Sequence, residues 1–316
     1  MTLRAIGSAS ATIANLGPGF DVLGLCLEGP RDRVTVELTD DGRVEIVQIE
    51  GDGGKLPLDA AQNCAGVAAR WVIERFAEPG TGARIWLEKG LPLGSGLGSS
   101  SASSVAAAVA TAALVDPNIP RGVLLEACRE GERLAAGSPH ADNVAPALFG
   151  GLVAVLPGEG EAVDILPLAV PRDLVLAVAK PAYDVRTADA RAALPKTMPI
   201  HDAVHNMAMI AGLVTGFATN DMGLVARCLG DRMSTPYRKA LVPGFDAVVA
   251  AAHGAGAVGA GLAGSGPTIF AITDDRETAR DVAEAMVDAF LGAGFESQAF
   301  VSAVGLEGAT AELERG

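Results

Sequence analysis

Apolar and polar residues alternate with two different periods along this chain, and the periods predict its elements. Residues 34–38 (VTVEL) and 44–49 (VEIVQI) alternate with period two around Asp41-Gly42, which predicts a β-hairpin. Residues 83–89 (ARIWLEK) predict a strand, and 63–76 a helix. The Ala-dominated run 99–114 predicts a second helix. Residues 124–136 predict a third, carrying Glu126, Glu130 and Glu132 among Arg129 and Arg133. Residues 148–156 (LFGGLVAVL) predict a strand entered through a glycine pair.

The pattern then breaks in PGEGEAVDILPLAVPRD, a stretch rich in Pro, Gly and acids. It predicts a division into residues 1–160 and 161–316. Beyond it, strands are expected at 174–180, 268–273 and 298–304. Helices are expected at 188–194, 201–219, 221–229, 245–253 and 277–291. Helices alternating with strands in this half predict an α+β sandwich.

Composition supports two cores rather than one. The chain has 316 residues, 49% of them apolar, and only 4% are aromatic, so the cores rest on Val, Leu, Ile and Ala. The formal charge of −14, with no Lys/Arg cluster, predicts no nucleic-acid partner. No apolar run reaches membrane-spanning length, and the first residues lack the pattern of a secretory leader. The expected setting is therefore the cytoplasm, without a membrane partner. Cys26, Cys64, Cys128 and Cys228 are dispersed and form no C-x-x-C pair, which predicts reduced thiols rather than a zinc site.

Candidate chemistry concentrates at residues 91–104, LPLGSGLGSSSASS, between a predicted strand and a predicted helix. Glycines let a backbone approach a ligand closely, and the first N–H groups of a helix are unpartnered and partly positive. Together they make a phosphate seat. The loop holds no lysine, as Walker A would require, and Ser99 stands where the dinucleotide fingerprint needs its third glycine. Residues 254–266 (GAGAVGAGLAGSG) do contain G-x-G-x-x-G. There a helix precedes and a strand follows, the reverse of a dinucleotide site, so no nicotinamide cofactor is expected.

Three further strings accompany the loop: SATIANLGPGFDVLGL at 10–25, GERLAAGSPHADNVAPALFGG at 131–151 and GSGPTI at 264–269. In order and spacing the four resemble the GHMP kinases, and within them the homoserine-phosphorylating members. The resemblance covers nearly the whole chain. It implies a two-domain α+β fold, with an N-terminal half like ribosomal protein S5 domain 2 and a C-terminal ferredoxin-like α/β sandwich. It implies ATP and Mg²⁺, and a homodimer. It implies L-homoserine as acceptor, phosphorylated on its side-chain hydroxyl on the route to threonine. A mevalonate-type small-alcohol kinase is the alternative.

Residue by residue, the resemblance assigns the nucleotide phosphates to Pro92, Leu93, Gly94, Ser95, Gly96, Leu97, Gly98, Ser99, Ser100, Ser101 and Ala102. It places Asn63 at the adenine or its ribose, and gives Glu132 and Ser100 to Mg²⁺. Asn15 and Asp21 meet the amino acid, whose ammonium needs a carboxylate partner when buried. Arg191 and Arg238 suit its carboxylate, because a guanidinium fork binds both oxygens. Thr187, His140 and Gly264 line the same pocket. Ser100, Asp142 and Asn143 stand at the transfer step. A gapped alignment puts Asp142 at the family's catalytic-base position, and an ungapped one puts Asn143 there, which cannot accept a proton. We expect Asn143 to orient the attacking hydroxyl, with Asp142 structural or a minor participant.

Overall fold

The computed structural model describes residues 3–171 and 173–315, whose strands form two sheets. In the first, β1 (Leu3–Ala14) and β2 (Leu23–Thr39) pair antiparallel, with a bulge between Ser10 and Thr12. β3 (Val44–Glu50) leads through helix α1 (Cys64–Phe76) to β4 (Gly82–Glu88), which returns between β2 and β3. β4 is antiparallel to β2 and parallel to β3, so the Asp41-Gly42 turn joins strands that do not pair, and the expected hairpin is absent. The cause lies further along the chain. A parallel neighbour needs a crossover, and α1 supplies it while burying Ala68, Ala69 and Val72 in the core. β4 can then seal Ala83, Ile85 and Leu87 from water at an interior position of the sheet.

α2 (Ser99–Val115), α3 (Arg121–Ala136) and α4 (Val144–Phe149) accompany this sheet. α2 is buried almost all round, as its Ala- and Ser-rich sequence allows. It lies so close on β1 that a Cβ at Gly7 would collide with the Ala106 carbonyl. Residues 148–156 do not form one strand. Leu148 and Phe149 end α4, Gly150 and Gly151 turn the chain at φ of 80° and 69°, and β5 (Leu152–Pro157) begins afterwards. β6 (Val163–Leu168) pairs with β5, and β11 (Thr310–Arg315) pairs with β1. The first sheet thus takes in two strands from beyond residue 160, β6 and β11, and the expected division there does not coincide with the boundary between sheets.

The second sheet has the order β10-β7-β9-β8, antiparallel throughout. Its strands are β7 (Val175–Pro181), β8 (Gly259–Leu262), β9 (Ile269–Thr273) and β10 (Ser297–Ala303). Between β7 and β8 run α5 (Thr187–Ala192), α6 (Ile200–Thr219), α7 (Met222–Cys228), α8 (Thr235–Arg238) and α9 (Phe245–Gly254). α9 and α10 (Arg276–Gly292) pack on this sheet, with Phe245, Val248, Met286 and Phe290 closing a second core. No helix among the described residues is long and apolar enough to cross a membrane. The four cysteines are unpaired thiols.

Candidate active site

The chain leaving β4 forms the glycine loop and enters α2 on the wall of a cavity of about 490 Å³. Gly94, Gly96 and Gly98 take φ of 58°, 81° and 69°, the left-handed region open to glycine. Gly98 is the N-cap of α2 and provides no side-chain hydrogen bond. The hydroxyl of Ser99, the first helical residue, is buried without a partner although Ser99 lines the cavity. An uncapped helix N-terminus beside an orphaned hydroxyl is a seat for an anion. Ser95 differs: its hydroxyl donates to the Pro92 carbonyl (2.8 Å) and bonds the Leu97 N–H, stapling the loop internally.

Acidic groups line the same cavity. Glu132, on the buried face of α3, accepts hydrogen bonds from Ser100 and Ser101 through one oxygen, Oε2, both at 2.9 Å. Burial pushes its carboxyl above the usual range, against the pull of those two hydroxyls. Glu130, two residues earlier, faces away and pairs with Arg133 at 3.2 Å. Asp142 is buried, and burial together with the charges of Asp21 and Glu132 pushes its pKa up to about 7.

Another part of the cavity is lined by a strained loop. Asn15, Leu16 and Asp21 have φ of 73°, 46° and 57°, a concentration of left-handed non-glycine residues typical of functional sites. Asn15 holds the loop: its Oδ1 accepts the Asp21 N–H (3.1 Å) and its Nδ2 donates to the Gly264 carbonyl (3.2 Å). Asp21 receives a two-pronged pair from Arg191, at 2.8 and 3.1 Å. Arg191 also donates to His140 Nε2 at 2.9 Å. A guanidinium only donates, so Nε2 carries no proton and the imidazole is neutral. Burial, with help from the charges of Arg191 and Arg238, holds its pKa below the usual value despite Asp21.

Arg238 is only 3% exposed, yet among the described residues no carboxylate pairs with it. It donates to the carbonyls of Ala190 (3.2 Å) and Gly264 (3.0 Å), which aim it without neutralising it. Gly264 is where three parts meet, since its carbonyl binds Asn15 and Arg238 and a Cβ there would lie 2.9 Å from the Gly96 carbonyl. The glycine-rich stretch at 254–266 therefore serves as β8 and a brace for the phosphate loop. Asn143 and Thr187 also line the cavity. Asn143 Oδ1 accepts the Thr12 hydroxyl at 2.8 Å, which leaves its NH₂ as the group available to a ligand.

Four expected contacts do not face the cavity. Leu97 and Ala102 are fully buried behind the loop, Ser101 turns to Glu132, and Pro92 contributes its carbonyl to Ser95. Asn63 lines the cavity, but its amide is committed: Oδ1 caps α1 at Ala65 N–H and Nδ2 binds the Pro57 carbonyl, both at 3.0 Å. Arg186 and Arg232 are exposed and pair with Asp189 and Asp202, outside the site.

Residues 63–151 match the family model for the GHMP kinases N terminal domain, and residues 213–292 the one for GHMP kinases C terminal. A homoserine kinase of Pyrococcus furiosus is 41% identical over 94% of this chain and 97% of its own length. One from Arabidopsis thaliana is 40% identical over 90% and 78%. The chain belongs to the GHMP kinases. The crystal structure of homoserine kinase from Cytophaga hutchinsonii superposes with a TM-score of 0.92 at 40% identity, covering 98% of this chain and 97% of that one. The GHMP kinase fold is shared more distantly by L. major mevalonate kinase, at a TM-score of 0.72 and 14% identity.

This GHMP kinase also uses residues that the sequence did not single out. Lys89, where β4 gives way to the loop, lines the cavity and is ion-paired to Asp32 of β2, both side chains almost wholly buried. Its ammonium also donates to the Ser99 carbonyl (2.9 Å) and Ser103 hydroxyl (2.7 Å). Asp32 in turn accepts the Gly90 and Leu91 N–H groups, at 3.0 and 3.1 Å. The pair thus buckles the strand end to the first turn of α2. Burial lowers the Lys89 pKa. Lys89→Met leaves Asp32 buried and unpaired, so chemical denaturation should show a loss of about 3–5 kcal/mol. The only trace in sequence was a lysine at a strand end, because Asp32 lies 57 positions away.

Proposed function

We propose that this GHMP kinase transfers the γ-phosphoryl group of ATP to the side-chain hydroxyl of L-homoserine, giving O-phospho-L-homoserine and ADP. The observation that carries the reading is Arg238, a buried cation without an acid, beside the Asp21–Arg191 pair. The substrate carboxylate supplies the missing negative charge, and its ammonium takes a share of Asp21. Arg191, His140, Thr187, Asn15 and Gly264 shape the same pocket. Mevalonate carries no ammonium for Asp21.

The uncapped start of α2 and the glycine loop hold the triphosphate. Asn63 sets the segment around the base through its bonds to Pro57 and Ala65 rather than reading the base itself. Mg²⁺ fits the donors present: Glu132 Oε1 takes neither serine hydroxyl, and Ser100 stands beside it. The described residues contain no cluster of three or more metal-binding acids, histidines or cysteines, which suits an ion arriving on the nucleotide phosphates. Such an ion would neutralise charge on the transferring group.

In the transfer, the homoserine oxygen bonds to phosphorus as the bond to ADP breaks, and the hydroxyl proton passes to an oxygen of the transferring phosphoryl group. Asn143 offers its NH₂ to position that oxygen, its carbonyl being held by Thr12. Phosphoryl transfer is loose and depends mainly on positioning and charge neutralisation, so a strong base is dispensable.

Asp142→Asn tests that point, and should leave kcat within about tenfold of wild type. With a folded pKa of about 7, against 3.8 ordinarily, Asp142 stays protonated while the unfolded chain ionises. Wild-type stability attributable to it therefore falls as pH rises from about 4 to 7. Thermal unfolding should show Asp142→Asn gaining on wild type over that window. A collapse of kcat with intact substrate binding would instead make Asp142 the proton acceptor.

A coupled ADP-release assay with ATP and Mg²⁺ over homoserine, serine, threonine and mevalonate tests the reading as a whole. Turnover should be greatest with homoserine, and activity confined to mevalonate would overturn it. Assembly as a homodimer completes the reading, supported by the exposed apolar stripe of Ile200, Val204 and Met207 on α6. Sedimentation equilibrium should return about twice the chain mass of 31.9 kDa.

A further inference from the structure

We propose that Phe20 is a positioning residue that keeps the two arginines of the acceptor site convergent on one carboxylate. The inference rests on the homoserine reading above. The guanidinium carbons of Arg191 and Arg238 each lie 5.0 Å from the centroid of its ring. They belong to α5 and α8, and Phe20 to the strained loop that also carries Asp21. One loop thus presents the group for the ammonium and a support for both groups that meet the carboxylate.

Two like charges so placed repel, and Arg238 has no acid partner among the described residues. The site needs something that attracts both cations. A second Asp or Glu, beside the Asp21 that already holds Arg191, would compete with the substrate for these cations. The negative face of an aromatic ring attracts a guanidinium without occupying its hydrogen-bond donors. Phe20 therefore stabilises the pair without taking any of the N–H groups that Asp21, His140 and the Ala190 and Gly264 carbonyls leave free. It does not line the cavity and touches no reacting atom, so its effect passes through Arg191 and Arg238.

The decisive experiment grades the ring's charge distribution at constant shape. Phenylalanines carrying one, two or three ring fluorines are incorporated at position 20, alongside Phe20→Leu and Phe20→Tyr. KM for homoserine should climb stepwise with fluorination to about tenfold, and by about 10- to 50-fold in Phe20→Leu. Phe20→Tyr should stay near wild type. KM for ATP and kcat should remain within about twofold, since the nucleotide seat is built from other elements. A flat fluorine series beside a raised KM in Phe20→Leu would reduce the ring to a space-filler and overturn the proposal. So would a parallel rise in KM for ATP. Should Phe20→Leu fail to fold, the fluorinated series still decides. If the unsubstituted enzyme does not phosphorylate homoserine, the acceptor reading falls and takes this inference with it. Homoserine turnover with a flat series removes the role of Phe20 alone.

Discussion

Arg238→Met should raise KM for homoserine by about 10²- to 10³-fold while leaving KM for ATP unchanged. The magnitude follows from losing a charged, two-pronged contact in a desolvated site, about 3–4 kcal/mol, at tenfold per 1.4 kcal/mol. The side chain is aimed by the Ala190 and Gly264 carbonyls and is ion-paired to no acid among the described residues, which leaves its charge to a ligand. Methionine keeps most of the length of the apolar stem, which limits the packing loss. Thermal stability should hold or improve, because an unpaired buried cation costs the folded state. Arg238→Lys should rescue only part of the affinity, since an ammonium cannot reproduce the planar fork. The exposed Arg186 provides the control, and Arg186→Met should change nothing. Steady-state kinetics with each substrate varied in turn would decide. An unchanged KM for homoserine would remove the acceptor from this part of the cavity.

Glu132→Gln should lower kcat by about 10²- to 10³-fold and raise the Mg²⁺ concentration needed for half-maximal rate. Gln retains an oxygen for the Ser100 and Ser101 hydroxyls, so the α2–α3 contact and the fold should survive. What disappears is one negative charge, buried where burial already makes ionisation difficult. A buried carboxylate of that kind is worth retaining for a cation that favours its charged form. Titrating activity with Mg²⁺ at saturating ATP would separate lost affinity for the ion from lost rate. Full activity of Glu132→Gln at the wild-type Mg²⁺ requirement would show that Glu132 holds α2 in place and nothing more.

Local patterns announced most of the elements, because their causes are local. The Ala run of α2 is helical by propensity, and Asn63 starts α1 as a cap whose side chain accepts the Ala65 N–H. The hairpin was misread because Asp41-Gly42 is a genuine turn, whereas the pairing around it is set by a helix and strand still to come. β8 and β11 escaped for opposite reasons. β8 is glycine-rich and short, and β11 is exposed throughout, so neither carries an apolar rhythm.

The site divides in the same way. The glycine turn before α2 could be read directly, because spacing alone sets it. Arg191 and Arg238 could not be told from Arg186 and Arg232 without the resemblance. What separates Arg238 is burial and the Gly264 carbonyl, 26 positions away, and what separates Arg191 is its pairing with Asp21, 170 positions away. Lys89–Asp32 and Thr12–Asn143 are long-range pairs that no local pattern reveals.

The pairing of β11 with β1 bears on how the protein is made. Of the described strands β1 is made first and β11 last, yet they are neighbours from Leu3↔Arg315 to Ser8↔Thr310. Until β11 has been made, β1 has an open edge, the kind of surface that recruits stray strands. The first sheet cannot be completed before β11 emerges, and a nascent chain stalled before it would be exposed to aggregation. Cutting the gene between residues 160 and 161 would separate β1 from β11 and make that condition permanent.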